Sequence, residues 1–285
     1  MNSSEIMVSI CCTTYNHEKY IAQALDGFLM QKTHFRYEII IGEDCSTDNT
    51  RKIIEDYCLN YPDKVQIVTD TENVGGVKNG IRTFSHAKGK YIAICDGDDY
   101  WTDPLKLQKQ VDFMESQQDC VMCCHYSRVI NETGKLIYEN PAPVNLEFAY
   151  EDVLLGRKEE TRTSSILMKN KLQIKQISSN DWFYRVYGAD AFLKLYALAK
   201  EGGKIYVLPE VMSVYRLHKD GIWSMIDSKL RKKHMVSDFN IMINNFNYPP
   251  EYKKKLLKMY IRQFFLFDIR YLNIQKSLDT LITLI

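Results

Sequence analysis

No run in this 285-residue chain approaches the ~18 consecutive apolar residues of a membrane-spanning helix. The start, Met1-Asn2-Ser3-Ser4-Glu5, lacks basic residues, and the apolar run behind it ends at Cys12, so no secretory leader is expected. Charge of one sign is also missing. The formal net charge is +1, which excludes the strong basic excess of a dedicated nucleic-acid binder. There are no internal repeats and no low-complexity segments. Cysteine is absent after Cys124 and glycine after Gly221. The first gap argues against a disulfide framework spread along the chain. The second marks a change of character near residue 222.

What is present is an ordinary globular composition, 45% hydrophobic and 26% charged, long enough for a substantial core. Cys11, Cys12 and Cys95 sit in apolar, strand-like runs, as buried free thiols of a reducing compartment would. The tightest cluster, Cys120-Val121-Met122-Cys123-Cys124-His125, has no second Cys/His pair at ligand spacing. Its adjacent cysteines would point to opposite faces of a strand, which disfavours zinc. A cytoplasmic protein is expected.

Strand and helix patterns alternate over the first ~115 residues. Met7 to Cys12, Tyr37 to Ile41, Val65 to Val68 and Tyr91 to Cys95 read as buried strands. Helical patterns run from about His17 to Met30, after the cap residues at Ser46 to Thr50, from Gly75-Gly76 to about Ala87, and from Thr102-Asp103-Pro104. This order predicts a doubly wound α/β sheet with right-handed crossovers. Such sheets bind ligands beyond the carboxyl ends of their strands. The polar clusters fall there: Thr13 to Asn16, Glu43-Asp44 and Asp96 to Asp99. Further on, Cys120 to Ile130 and Lys135 to Tyr138 read as a hairpin and Thr163 to Met168 as a strand. Ala189 to Lys200 reads as a helix. Ile205 to Leu208 and Val211 to Leu217 read as two strands parted by Pro209-Glu210. In the tail, Leu256, Leu257, Tyr260, Ile261, Phe264 and Phe265 share one helical face opposite Lys255, Lys258 and Arg262.

The sharpest chemical signal is Asp96-Gly97-Asp98-Asp99. Three carboxylates in four residues repel one another unless a cation neutralises them. A strand end carrying them suits a Mg²⁺ or Mn²⁺ diphosphate site. An acidic turn bent at Gly97 is the alternative.

Four further pieces accompany the cluster: Val8 to Asn16, Glu38 to Thr50, Asn73-Val74-Gly75-Gly76, and Tyr100-Trp101 directly after the acidic residues. Gly188-Ala189-Asp190 and Val214-Tyr215-Arg216-Leu217-His218 follow. In order and spacing the chain resembles the family 2 glycosyltransferases with the GT-A fold, over about residues 6 to 223. The resemblance implies a Rossmann-like mixed sheet over residues 1–222 and a helical tail over 223–285. Within the former, about 1–115 would be the nucleotide-sugar half and about 116–222 the acceptor side.

It also implies roles. Thr13 and Tyr15 would line the nucleobase pocket, with Tyr15 offering a stacking face. Asp44 would accept a hydrogen bond from the base, unless it only caps the following helix. Asp98 and Asp99 would hold ribose and metal between them, with Asp96 in support. His218 would complete the metal or diphosphate shell, or be a satisfied polar residue. Arg216, on the same strand face, would pair with the diphosphate or with a neighbouring carboxylate. Gly75 would admit the donor close to the backbone, or simply turn the chain.

Asp190 matches the general-base position. The surrounding Gly-Ala-Asp-Ala departs from the family's usual pattern, which has an acidic residue or glycine before the aspartate and an aromatic after it. Asp181 is the competing candidate, and a helix-start residue favoured by the macrodipole is the plainer reading of Asp190. Thr161 to Ser165 would border the acceptor cleft, and Trp223 would lie in a loop covering the donor.

The activity implied is metal-assisted, inverting transfer of a sugar from a nucleoside-diphosphate sugar, most simply a UDP-sugar, to a glycan or lipid-linked acceptor. Bacterial surface polysaccharide is the family-level setting. The alternatives are a nucleotidyltransferase of similar topology or a non-catalytic nucleotide-sugar-binding module. The former tends to carry a glycine-rich loop directly after the first strand, where this chain has Thr13-Thr14-Tyr15-Asn16. The basic amphipathic tail would pack on its own domain or a second copy, or lie on the inner face of the cell membrane.

Overall fold

The computed structural model describes residues 5–171, 175–221, 226–271 and 274–285. Its first half alternates as the apolar periodicity implied: β1 (Ile6–Thr14), α1 (Ile21–Leu29), β2 (Arg36–Glu43), α2 (Thr50–Asn60), β3 (Val65–Thr69), α3 (Gly76–Ser85) and β4 (Tyr91–Ile94). There follow β5 (Tyr100–Trp101), α4 (Lys106–Ser116), β6 (Cys120–Asn131), β7 (Leu136–Tyr138), β8 (Leu146–Phe148), α5 (Tyr150–Leu154), β9 (Leu167–Lys169), α6 (Ala189–Glu201) and β10 (Lys204–Leu217). The strands form one mixed sheet in the order β3-β2-β1-β4-β9-β6-β10-β5, with β7 on β6 and β8 on β10. β3, β2, β1 and β4 run parallel, and β9 enters antiparallel between β4 and β6. The doubly wound expectation therefore holds.

β1 is covered on both faces, which is why its sequence from Ile6 to Cys12 is apolar on both instead of alternating, save for Ser9, whose Oγ donates to Glu38 Oε1 at 2.6 Å. Ile10 and Cys12 pack with Phe28 of α1, Trp101 and Leu107. Cys11, between them, faces the other layer with Ile92, Met168 and Leu198. All eight cysteines are free, and six of them are buried.

Three sequence expectations change. β10 is one strand, not two. It passes Pro209-Glu210 by shifting register against β6 between Leu208 and Val211, which accommodates a residue that cannot donate to the ladder. Thr163–Ser165 is a 3₁₀ turn and only Leu167–Lys169 is strand, because Ser165 Oγ donates to the Arg162 carbonyl at 2.7 Å. Thr161, Ser164 and Ser165 are consequently buried. Helix α4 begins at Lys106, beyond Pro104, because Asp103 Oδ1 holds the Leu105 N–H at 2.8 Å in a preceding turn.

The tail forms α7 (Ser228–Asn245), α8 (Pro250–Tyr260), a π-helical turn (Ile261–Phe265), α9 (Leu266–Tyr271) and α10 (Ile274–Leu284). The single amphipathic helix expected over 253–275 is broken. Leu256, Tyr260 and Phe264 are buried, while the π turn leaves Ile261 48% exposed. The tail packs on the chain's own core: Val236, Phe239, Ile243 and Phe246 share a cluster with Trp182 and Phe192. Among the described residues, no helix is long and apolar enough to cross a membrane.

Candidate active site

The C-terminal ends of β1, β2 and β4 lie side by side. Asp44 donates its N–H to the Thr14 carbonyl at 3.1 Å, and Gly97 donates to the Thr13 carbonyl at 2.9 Å. The chain leaving β4 therefore lies tight on the end of β1. A Cβ on Gly97 would stand 2.8 Å from Thr14 Oγ1 and 2.9 Å from Thr14 Cβ, so only glycine permits this approach. Gly97→Ala is expected to cost about 1–3 kcal/mol by overpacking. Thermal unfolding would check it.

The acidic loop is then held from three sides. Thr13 Oγ1 donates to Asp96 Oδ1 at 2.5 Å. From the end of β10, the Arg216 N–H donates to Asp99 Oδ1 at 2.9 Å, and Arg216 Nε donates to the Asp98 carbonyl at 3.1 Å. The Arg216 guanidinium also reaches Gln23 Oε1 at 2.8 Å and lies over the rings of Tyr20 and Tyr100. Two residues on, His218 Nε2 is 3.0 Å from Asp98 Oδ2. His17 Nε2 approaches the same oxygen at 3.8 Å, and its buried Nδ1 has no hydrogen-bond partner among the described residues. His17 did not stand out in the sequence. Its only signal was an imidazole three residues past the end of the first strand, on the ligand-binding rim.

Burial, then repulsion from Asp98, pushes the Asp96 carboxyl up to about 7 and Asp99 well above the usual carboxylate range. Burial acts on Asp98 too, but the His218 hydrogen bond and the nearby His17 outweigh it and hold that carboxyl low. The crowded carboxylates thus repel one another when ionised, and a cation would relieve that repulsion. Among the described residues, no three His, Cys, Asp or Glu side chains are arranged to hold an ion unaided. Asp98 Oδ2 and His218 Nε2 nevertheless make a compact oxygen–nitrogen pair. Mn²⁺ and Mg²⁺ are commonly bound by one or two protein groups plus substrate phosphates and water, and the pair fits that pattern. Asp99 is less free to join, because it is buried and its Oδ1 is engaged by the Arg216 N–H.

At the end of β2, Asp44 is 2% exposed and its carboxylate accepts the Val74 and Gly75 N–H groups, each at 2.9 Å. Arg82 stands 3.8 Å away. Asp44 does not cap α2, since Asp48 accepts the Thr50 N–H. It ties the loop before α3 to the end of β2, and Gly75 turns that loop with a φ of +85°. Tyr15 is 42% exposed, and its ring is open on the rim.

Asp190 lies in the first turn of α6. Its Oδ2 is 2.7 Å from Lys194 Nζ, one turn along, and the Lys194 side chain is 1% exposed. Burial alone would raise the Asp190 carboxyl, but the Lys194 and Lys158 ammonium groups hold it at about 2. Its charge reaches the acidic loop and adds, after burial and Asp98, to the rise of the Asp96 carboxyl. Asp181 lies exposed at the start of a 3₁₀ turn, Asp181–Arg185. Trp223 falls outside the described residues.

Comparison with known proteins gives the following. The model of a family described as Glycosyl transferase family 2 matches residues 9–177. An uncharacterized protein of Mycobacterium tuberculosis is 38% identical over 229 residues, which is 79% of this chain and 63% of that protein. The chain therefore spans less than two thirds of that relative. A Bacillus subtilis protein, named provisionally as a glycosyltransferase of teichuronic acid biosynthesis, is 27% identical over 79% of this chain and 84% of its own length. Among solved structures, S. aureus TarS 1-349 in complex with UDP-GlcNAc superposes with a TM-score of 0.67 at 17% identity, covering 97% of this chain and 80% of that one. The mannosyltransferase PcManGT of Pyrobaculum calidifontis, in complex with GDP-Man and Mn2+, gives 0.66 at 17% identity, covering 98% and 75%. These likenesses show the GT-A fold.

Proposed function

The chain belongs to glycosyl transferase family 2, and from that premise we propose that it transfers a sugar, with inversion, from a nucleoside-diphosphate sugar to a hydroxyl of a glycan or lipid-linked saccharide. A UDP-sugar is the first donor to test. The observation that supports this reading is the Asp98–His218 pair at the carboxyl end of the sheet, with the Asp190 charge reaching the same acidic loop.

The open ring of Tyr15 is suited to stack on the base, with Thr13 and the loop tied by Asp44 around it. Asp98 and His218 face the diphosphate, while Arg216 clamps the acidic loop from behind. When bound there, Mn²⁺ or Mg²⁺ would neutralise charge on the departing diphosphate. Asp190 takes the proton of the acceptor hydroxyl as its oxygen attacks the anomeric carbon. The bond from that carbon to the diphosphate breaks, and its electron pair leaves with the nucleoside diphosphate. One displacement from the opposite face inverts the centre.

Lys194 engages Asp190 Oδ2 and so fixes the carboxylate, leaving Oδ1 for the acceptor. An opposite charge at this distance lowers a carboxylate by about 1–3 pH units. Lys194→Met is therefore expected to move the acid limb of kcat up by about that much. The wild-type limb from Asp190, at about 2, lies below the working range. A pH–rate profile of both proteins checks this.

The function itself is tested by nucleoside diphosphate release from a panel of nucleotide sugars with Mn²⁺. Proton NMR of the product's anomeric configuration tests inversion. Release of pyrophosphate from a sugar phosphate and nucleotide triphosphate would favour a nucleotidyltransferase instead.

A further inference from the structure

We propose that the C-terminal tail is a working part of the active site, with Asp238 of α7 acting as a positioning residue for Asp190. The proposal rests on reading Asp190 as the base.

Asp238 Oδ1 accepts the Tyr187 N–H at 3.0 Å, and its Oδ2 accepts the Gly188 N–H at 2.8 Å. Gly188 is the N-cap of α6, and no side-chain hydrogen bond from within α6 caps that end. A carboxylate can take two adjacent N–H groups at once, one on each oxygen. The turn from which Asp190 projects is thereby pinned by a side chain 50 residues downstream.

The same helix grips the segment at two further points. The His234 ring, one turn before Asp238, lies on the Tyr187 ring at 3.5 Å with planes 8° apart. Phe246, at the far end of α7, packs against Trp182 at 5.2 Å and Phe192 at 6.0 Å between centroids. Trp182 precedes Asp190 and Phe192 follows it. The first turn of α6 is thus set against α7 before it, at it and after it. Because Lys194 is on α6 as well, the Asp190–Lys194 pair moves with that helix and cannot fix its own place in the cleft. Displacing a positioned catalytic group by about 1 Å can cost roughly 10²-fold in rate.

The test uses the full chain, with UDP and Mn²⁺ as the binding probe. Turnover is followed on the nucleotide sugar that gives most product in the panel, with amide hydrogen exchange over residues 187–192 as a readout independent of donor. Asp238→Ala is expected to lower kcat about 10- to 100-fold, leave UDP affinity and donor KM within about twofold, and speed exchange only around the start of α6. Asp238→Asn keeps the shape and one acceptor oxygen, and should fall between Asp238→Ala and wild type. It also carries the test if Asp238→Ala fails to fold.

Because Asp238 acts through Asp190, adding Asp238→Ala to Asp190→Asn should cost little more than Asp190→Asn alone. Unchanged kcat and exchange in the Asp238 variants, or full additivity in the double variant, would overturn the proposal. Full transfer by Asp190→Asn would instead sink the reading of Asp190 as base. An inactive Asp190→Asn beside an unaffected Asp238→Ala would sink only the positioning role.

Discussion

Asp190→Asn is expected to slow transfer by roughly 10²–10⁴-fold, the range that a general base contributes, while UDP binding stays within about twofold of wild type. The substitution keeps the shape of the side chain and removes only its ability to take a proton. The first turn of α6 should survive it. Asparagine Oδ1 can still accept a hydrogen bond from Lys194, and the backbone beside it is set by neighbours other than Asp190. The proposed base and diphosphate contacts involve the other strand ends, around Tyr15 and Asp98. The loss should therefore appear in kcat and kcat/KM equally, as for an interaction made only in the transition state. Single-turnover assays on Asp190→Asn, with calorimetric UDP titration alongside, separate the two effects.

Asp98→Ala is expected to show the reverse pattern, losing the Mn²⁺-dependent part of UDP affinity by on the order of 10²-fold, since even supporting partners of a metal ligand cost roughly 10–100-fold. Asp98 is the one carboxylate of the loop whose side-chain oxygen meets an imidazole: His218 at 3.0 Å, with His17 at 3.8 Å. Its removal deletes an oxygen ligand and leaves two histidines facing each other across the gap. Asp99→Ala should act differently. The Asp99 carboxyl is buried and accepts the Arg216 N–H, so its loss strands a buried donor at a cost of about 1–3 kcal/mol. Titrations of UDP with and without Mn²⁺ on both variants, with their thermal midpoints, distinguish an ion site from a structural brace.

The first half of the fold was legible because β1, β2 and β4 are buried on both faces and read as largely apolar runs, while the edge strand β3 is only half-buried. The rim followed from topology alone, and across it Asp44 does meet Thr14 and Gly97 does meet Thr13. Legibility falls where structure depends on distant partners. Nothing near Pro209 indicates that β10 continues past it, since the register shift is negotiated with β6. In sequence Arg216 could pair with the diphosphate or with a neighbouring carboxylate, whereas its guanidinium is engaged by the Asp98 backbone carbonyl, Gln23 and two tyrosine rings. The pull of Lys194 on Asp190 was readable in principle, as a charge four residues along a helix. Its near-complete burial was not. The grip of Asp238 on the Tyr187–Gly188 turn spans 50 residues and two elements, with no local pattern to announce it. The amphipathic stripe of the tail was visible, but the π turn at Ile261–Phe265 changes which of its residues are buried.

The most direct single measurement is nucleoside diphosphate release from a panel of nucleotide sugars with Mn²⁺ and saccharide acceptors, run side by side on wild type and Asp190→Asn. The expected result is release from at least one nucleotide sugar by the wild type, with the rate on that donor falling by two orders of magnitude or more in Asp190→Asn, as loss of a general base requires. Equal rates in the two proteins, or no release from any member of the panel by folded wild type, would contradict it.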